Sequence, residues 1–270
     1  MSYRWWSSCR TTAGRRRRVN EDAFLSLDDV GLWLVADGMG GHARGDVASR
    51  IVVEAFEGLT RPRSLDDFAI EVRQRLARAN RRVRDEMRRA GDNQIMGSTV
   101  VVFVVHKRQW MCVWAGDSRA YLLRDGRLQQ LTHDHSIVQE MVDRGELRRE
   151  EALKHPASNQ VTRAVGAQEQ LHLDEFRSTL RDGDAVLLCS DGLNKEVDDD
   201  EMTTILEDCD CDEASEELIE LTLERGARDN VTAAVVRFEA TTGAGDKLPD
   251  DTAINYALRN RSDSTAEMAV

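Results

Sequence analysis

The sequence lacks the features that mark membrane and secreted proteins. Its 270 residues contain no apolar run of about 18, the length that crosses a bilayer. Residues 1–13 have no apolar signal core, and the arginines at residues 15–18 precede Val-Asn-Glu-Asp rather than a hydrophobic stretch. The five cysteines are odd in number and include no Cys-x-x-Cys pair, which favours free thiols. We therefore expect a protein of the reducing cytoplasm with no membrane contact.

Positive charge is also in deficit, since 37 Lys and Arg stand against 49 Asp and Glu, a net charge of −12. Nucleic-acid backbones are bound by clustered cations, so we expect no nucleic-acid partner. Two arginine-rich segments run against this balance. Residues 15–18 are interpreted as steering an anionic substrate rather than binding nucleic acid. The arginines of residues 65–90 are interpreted as a solvated helix face rather than an RNA-binding face.

Hydrophobic patterning predicts both strands and helices. Apolar runs bounded by Gly or Asp predict strands at 31–36, 98–105, 110–115, 120–124, 185–189 and 231–238. Apolar spacings of three and four predict helices over 46–58, 65–90 and 212–225. Short connections between strands favour antiparallel sheets flanked by helices, an α+β fold, over a doubly wound α/β fold. Residues 1–239 are predicted to form one domain, and the polar stretch 240–270 a flexible tail.

Acidic residues occur where the predicted strands end. Asp37, Asp117 and Asp191 directly follow apolar runs, and Asp229 precedes one. A single Asp-Gly is usually a turn, but four such acids favour a shared site over turns alone. Crowded carboxylates repel each other, and a divalent cation removes that repulsion. Mg²⁺ and Mn²⁺ prefer oxygen ligands, so the pattern indicates a site for one of these ions.

The sequence resembles the metal-dependent protein phosphatases of the PP2C type, in their bacterial form, over about residues 8–238. The motifs that carry the resemblance are, in chain order, Gly14-x-x-Arg17-x-x-Asn20-Glu21-Asp22, Asp37-Gly38-Met39-Gly40-Gly41-His42, Gly97-Ser98-Thr99, Gly116-Asp117-Ser118, Thr132-x-Asp134-His135-Ser136, Ser190-Asp191-Gly192 and Arg228-Asp229-Asn230-x-Thr232. The resemblance implies a four-layer α-β-β-α sandwich, in which helices flank two antiparallel sheets.

The resemblance also implies how Mn²⁺ or Mg²⁺ is bound. Asp37 would bridge two core ions, and the carbonyl of Gly38 would bind one of them. Asp191 and Asp229 would complete the other core site. Asp117, together with Asp191, matches the position of a third ion in bacterial members.

Three further residues receive roles by the same resemblance. Glu21 and Asp22 would hold metal-bound waters or support the ligands, and Arg17 would grip the substrate phosphate. Animal-type members carry histidine directly after the Asp-Gly of this motif, whereas this chain has Met39. The leaving group's proton donor is therefore unassigned: the nearby His42 is more readily explained as a loop residue, and a metal-bound water could serve instead.

The implied activity is hydrolysis of phosphoserine and phosphothreonine in proteins by a metal-activated water, opposing a bacterial Ser/Thr kinase. The expected partners are phosphorylated proteins, including the kinase and its substrates. A silent phosphoprotein-binding module of the same fold and a hydrolase of small phosphoesters remain alternatives. Residues 136–166 match a variable segment beside the site and are predicted to influence substrate selection. His133-Asp134-His135 is interpreted as structural rather than as a zinc site.

Overall fold

Two antiparallel sheets form the centre of the described chain, which comprises residues 2–40, 44–90, 95–152 and 154–241 of a computed structural model. The strands are β1 (Ser2–Thr12), β2 (Asp22–Leu27), β3 (Leu32–Gly40), β4 (Met96–Ser98), β5 (Val100–His106), β6 (Gln109–Ala115), β7 (Arg119–Arg124), β8 (Arg127–Gln130), β9 (Asp174–Thr179), β10 (Ala185–Cys189) and β11 (Val231–Thr241). The helices are α1 (Gly45–Glu54), α2 (Leu65–Ala90), α3 (Ile137–Asp143), α4 (Arg149–Ala152), α5 (Asp191–Asn194), α6 (Asp199–Asp208) and α7 (Cys211–Glu224).

Strand pairing defines two sheets among these residues. We call the sheet with the order β1-β11-β10-β7-β8 sheet A. Sheet B has the order β2-β3-β5-β6-β9, and β4 pairs with the end of β3. Neighbouring strands within each sheet are antiparallel.

Alternating side chains in β5 explain why the sheets stack. Val102 and its neighbours two residues away pack toward helices α1 and α2, whereas Val101 and Phe103 pack into the space between the sheets. In β10, Leu188 faces the inter-sheet core and Leu187 faces α6 and α7. Strands buried on both faces read as continuous apolar runs, which made them visible in the sequence.

The outer layers are amphipathic helices. The apolar stripe of α2, including Phe68, Val72 and Leu76, is fully buried against sheet B. Its arginines lie on the other face, where Arg73 bonds Glu175 and Arg82 bonds Glu54, each at 2.9 Å. Helices α6 and α7 cover sheet A in the same way. The layers thus follow the order helix, sheet, sheet, helix, and the α-β-β-α prediction is confirmed.

Several predicted boundaries need correction. The helix predicted over 46–58 ends at Glu54, because the hydrogen bonds that follow, from Phe56 to Val53 and from Glu57 to Glu54, span three residues instead of four. The strand predicted over 31–36 continues to Gly40 because β4 pairs with its end. Asp37 therefore lies within β3 rather than after it. The run 98–105 is divided at Thr99 into β4 and β5.

The predicted domain ends close to the last described strand, since β11 continues two residues past 239 to Thr241. The predicted tail falls mostly on residues 242–270, which lie outside the described residues. No helix among the described residues combines the length and apolarity that crossing a bilayer requires.

Candidate metal and phosphate site

The site begins where the β2–β3 hairpin of sheet B meets the strand ends of sheet A. Asp22 and Asp37 are directly opposite each other across this hairpin, so their side chains share one face of the sheet. Asp22 Oδ2 accepts hydrogen bonds from Ser190 Oγ and Thr232 Oγ1, each 2.7 Å long. Because Ser190 follows β10 and Thr232 lies in β11, Asp22 connects the two sheets at this end.

Thr99 fixes the main chain of Asp37. Its N–H donates to Thr99 Oγ1 at 3.0 Å, and its carbonyl accepts from the Thr99 N–H at 2.9 Å. Thr99 Oγ1 also contacts Ser118 Oγ at 2.6 Å, and Ser118 directly follows the buried Asp117. This chain of contacts brings the β6–β7 turn, and with it Asp117, to the acids of the β2–β3 hairpin.

Close backbone packing places Glu21 beside helix α1. The Gly38 N–H donates to the Glu21 carbonyl at 3.1 Å, and Glu21 Oε1 accepts from the Gly45 N–H at 2.9 Å. A Cβ on Gly38 would lie 2.1 Å from the Gly45 carbonyl oxygen, so only glycine fits there. Gly45 begins α1, and the partial positive charge of the helix N-terminus favours the Glu21 carboxylate.

The loop of residues 13–19 carries Arg17 to the same place. Arg17 Nη2 donates to Asp229 Oδ2 at 2.8 Å, and about half of the Arg17 side chain is exposed. Asn230 fixes this loop, because its Nδ2 donates to the carbonyls of Ala13 at 3.1 Å and Val19 at 3.0 Å. Arg17, predicted to bind the substrate phosphate, is therefore hydrogen-bonded to Asp229, which is predicted to bind metal.

Lys195 contacts Asp191, the remaining acid of the predicted metal site. Asp191 is the first residue of α5, and Lys195 follows that helix one turn later. Lys195 Nζ donates to Asp191 Oδ2 and, at 2.8 Å, to Asn159 Oδ1. Burial opposes charge on Lys195, but the carboxylates of Asp191 and Asp117 raise its pKa above the usual value.

The acids act on each other electrostatically. Burial is the largest cause that raises the pKa of Asp37 well above its usual value, and neighbouring carboxylates raise it further. Those neighbours are Asp22, Asp191, Asp117 and Asp229. We call these five aspartates the acid cluster. The structure thus brings together the acids that the sequence placed on separate strands.

Two other members of the acid cluster hold protons tightly. Burial raises the pKa of Asp22 to about 7, although the hydroxyls of Thr232 and Ser190 lower it. Burial and the charge of Asp191 raise the pKa of Asp117 to about 8. Burial likewise raises the pKa of Glu21. Ionising the whole cluster therefore costs free energy, which the protein's own cations offset only partly.

The donor chemistry of the acid cluster fits Mn²⁺ or Mg²⁺. All of its donor atoms are carboxylate oxygens, and Asp22 Oδ1 is buried without a hydrogen-bond partner in the described chain. Among the described residues no three Asp, Glu, His or Cys side chains form a preassembled cage. These ions do not require one, because they retain several waters and take only one or two protein carboxylates each.

Several residues that organise the site were not predicted from the sequence. Thr99 and Ser118 position Asp37, and Asn230 holds the arginine loop, although all three lie in quoted motifs. Lys195 was missed entirely. Its position four residues after Asp191 at the start of a helix was the available signal, because residues at that spacing share a helix face.

The proton donor for the leaving group stays unassigned. Met39 lies in β3 opposite Gly97 of β4, and its thioether has no proton to donate. His42 lies outside the described residues.

The His133-Asp134-His135 segment has separate structural contacts. His133 Nε2 lies 2.7 Å from Asp143 Oδ2 at the surface. His135 is buried, accepts at Nδ1 from the Gly116 N–H at 3.2 Å, and stacks on Trp114. The two imidazoles therefore serve different partners.

Comparison with known proteins gives consistent matches. The family model described as Protein phosphatase 2C matches residues 11–238. The serine/threonine phosphatase stp of Listeria welshimeri is 35% identical over 235 residues, which are 84% of this chain and 93% of that protein. A solved structure described as PppA, a key regulatory component of T6SS in Pseudomonas aeruginosa, is 44% identical with a TM-score of 0.81, and the match covers 87% of this chain and 98% of that one.

A metal-bound structure is also similar. The catalytic domain of the serine threonine protein phosphatase PstP, solved in complex with 2 manganese ions, is 33% identical with a TM-score of 0.77. The match covers 88% of this chain and all of that one. Family model, curated relative and solved structures agree over the same part of the sequence, and the chain belongs to the protein phosphatase 2C family.

Proposed function

We propose that this chain is a Mn²⁺- or Mg²⁺-dependent phosphatase that hydrolyses phosphoserine and phosphothreonine in proteins. The observation that carries the proposal is the acid cluster, built from separate strands and turns, with the Arg17 guanidinium beside it. The retained Asp37, Asp191 and Asp229 favour an active enzyme over a silent binding module. The names of the relatives and the manganese-bound neighbour support the same conclusion.

We assign Asp37 as the carboxylate that would contact both core ions, with the Gly38 carbonyl as a further ligand. Asp191 and Asp229 would complete the core site, and Glu21 and Asp22 would hold metal-bound water. Bound divalent ions stabilise negative charge on the phosphoryl oxygens and supply a water acidic enough to attack phosphorus near neutral pH. The unpartnered Asp22 Oδ1 supports its assignment, because a buried carboxylate oxygen needs a donor.

Stabilisation by the ion should depend on pH. A carboxyl whose pKa is raised by folding contributes most to the stability of the metal-free protein below about pH 4, and that contribution falls as pH rises toward the folded pKa. The folded pKa is about 7 for Asp22 and about 8 for Asp117. Ion binding must displace these protons, so the Tm gain from Mn²⁺ should grow between about pH 5.5 and 8.5. Thermal unfolding with and without Mn²⁺ measures this gain, and a gain independent of pH would contradict the prediction.

Arg17 is proposed to bind the substrate phosphate. Its planar guanidinium can donate two parallel hydrogen bonds to phosphoryl oxygens, which a lysine ammonium cannot reproduce. The ion pair with Asp229 holds the side chain at the acid cluster before substrate arrives. Its positive charge also offsets the repulsion between the acids and an incoming dianion.

Arg17→Lys should therefore weaken substrate binding more than turnover. We expect KM for a phosphopeptide to rise by about 10-fold, the effect of losing one charge-assisted hydrogen bond, with a smaller change in kcat. Arg18→Lys, at an exposed neighbouring position, is the matched control and should leave both constants near wild type. Equal kinetic constants for Arg17→Lys and wild type would remove Arg17 from the phosphate site.

The substrate class is tested by competition between phosphoesters. The proposal expects higher kcat/KM on a phosphothreonine peptide than on a nucleotide at equal Mn²⁺. Preference for the nucleotide would favour the small-phosphoester hydrolase instead. Phosphorylated proteins are the proposed partners, and a bacterial Ser/Thr kinase is the proposed opposing enzyme. A cytoplasmic location remains a prediction, supported by the five free thiols.

A cavity supports substrate selection beside the site. It has a volume of about 440 Å³ and extends from Asp117 and Asp191 to α3 and α4. Val138 and Val142 of α3 contribute apolar lining, and Arg149 of α4 contributes a cation. The residues flanking a phosphorylated side chain could occupy this space, so variation in residues 136–166 would change peptide preference.

A further inference from the structure

Lys195 is placed as a fixed cation within the acid cluster. Its ammonium bonds both Asp191 Oδ2 and Asn159 Oδ1, so carboxylate and amide oxygens hold it from two sides. About a quarter of its side chain is exposed, whereas the Asp191 side chain is 12% exposed. The ammonium is therefore part of the site rather than a mobile surface group.

The neighbouring charges explain why a cation lies there. Asp117 and Asp191 are both buried, and they line the same cavity as Lys195. Lys195 acts electrostatically on both of them. Burying two ionised carboxylates without a positive partner would lower the stability of the fold, and either a metal ion or an ammonium offsets that loss.

On this geometry, and resting on the proposed function, we propose that the Lys195 ammonium takes the place of a third metal ion between Asp117 and Asp191. The enzyme then works with two bound ions. This inference departs from the third-ion site that the resemblance to bacterial members implies for Asp117.

The two carboxylate oxygens of Asp191 can serve different cations, which agrees with this arrangement. Its Oδ2 accepts from Lys195, which leaves Oδ1 as the oxygen for a core ion. A third ion at Asp117 and Asp191 would have to separate Lys195 from Asp191 and from Asn159 together. The displaced ammonium would lose two charge-assisted hydrogen bonds, so wild type should resist that ion.

Lys195 also connects the acid cluster to a neighbouring segment. Asn159 follows α4 in the turn that leads back toward the sandwich, and the ammonium is its link to Asp191. The Lys195 ammonium thus joins the acid cluster to this turn, next to Ser158 of the cavity lining. The ammonium is attached to the chain next to α5 through the Lys195 side chain, whereas a metal ion at the same place would not be attached to the chain.

The test counts bound ions. We expect metal-stripped wild type to bind roughly two Mn²⁺ per chain at saturation and Lys195→Met roughly three, measured by equilibrium dialysis with metal analysis. Lys195→Arg, which keeps a cation, should bind roughly two, and Arg149→Met, which removes a cation lining the same cavity, should also bind roughly two. The double variant Asp117→Asn/Lys195→Met should lose the added ion.

Other outcomes of this experiment would each overturn a proposal. Three ions in wild type, or an unchanged count in Lys195→Met, would overturn the role of Lys195 while leaving a metal-dependent phosphatase intact. An added ion in Arg149→Met would also overturn it, because the effect would then come from charge alone. Absence of bound Mn²⁺ in every protein would overturn the proposed function, and the inference on Lys195 with it.

Discussion

Asp37→Asn is expected to lower kcat/KM for an aryl phosphate by about 10³-fold or more at saturating Mn²⁺. Asn has nearly the same shape, but it is neutral and offers a single acceptor oxygen. The two hydrogen bonds that Thr99 makes to the Asp37 main chain do not involve the side chain, so β3 should keep its geometry. The loss would therefore come from the missing charge between the ions.

The same variant should be more stable than wild type when metal is absent. Asp37 is the residue on which four other aspartates act, and each of them disfavours its ionised form. Removal of this carboxylate relieves repulsion in the metal-free cluster, so Tm without metal should rise while activity is lost. Asp29→Asn, in the exposed β2–β3 turn, is the matched control and should change neither. Wild-type activity in Asp37→Asn would contradict the assignment of the bridge.

Gly38→Ala is expected to have the second large effect. The added Cβ would lie 2.1 Å from the Gly45 carbonyl oxygen and 2.5 Å from the Glu21 carbonyl oxygen, and neither main-chain atom can move without moving its segment. Overpacking of this kind costs about 1–3 kcal/mol, and the displacement would fall on α1 and on Glu21. We expect a lower Tm and a kcat/KM reduced by about 10²-fold, because metal and water ligands move together.

Gly40→Ala, two residues later in β3, is the graded control. Its Cβ would lie 3.0 Å from the Ile95 carbonyl oxygen, 3.2 Å from the Gly45 nitrogen and 3.4 Å from the Arg44 carbonyl carbon, contacts that shifts of a few tenths of an ångström relieve. We expect it to retain most of the wild-type Tm and activity. If Gly38→Ala behaved like Gly40→Ala in both assays, the close approach of α1 to β3 would not be needed for the site.

Elements with a complete local pattern could be predicted from the sequence. Helix α2 and strand β10 have the predicted bounds, because the apolar stripe of α2 and the apolar run of β10 coincide with the buried positions of each element. Strand β1 was missed because polar residues and partly exposed positions interrupt its apolar pattern. Strand β9, with the sequence DEFRST, was missed for the same reason. Their assignment depends on pairing with β11 and β6, which is not a local property.

The candidate site shows the same division. Acids beside glycine could be recognised in the sequence because Asp37, Asp117 and Asp191 occupy short, distinctive motifs. The effects of these acids on one another could not be predicted, because the repulsion that raises the pKa of Asp37 depends on how the two sheets pack together. The contact of Lys195 with Asn159 likewise could not be predicted, because it joins residues 36 positions apart in the chain.

Hydrolysis of an aryl phosphate by chelator-stripped wild type, before and after Mn²⁺ is restored, tests the metal-dependent acid cluster most directly. We expect negligible activity in the stripped protein and recovery that saturates with added Mn²⁺. Equal rates with and without the ion would contradict it, because the acid cluster would then have no cation to bind and no role in the reaction.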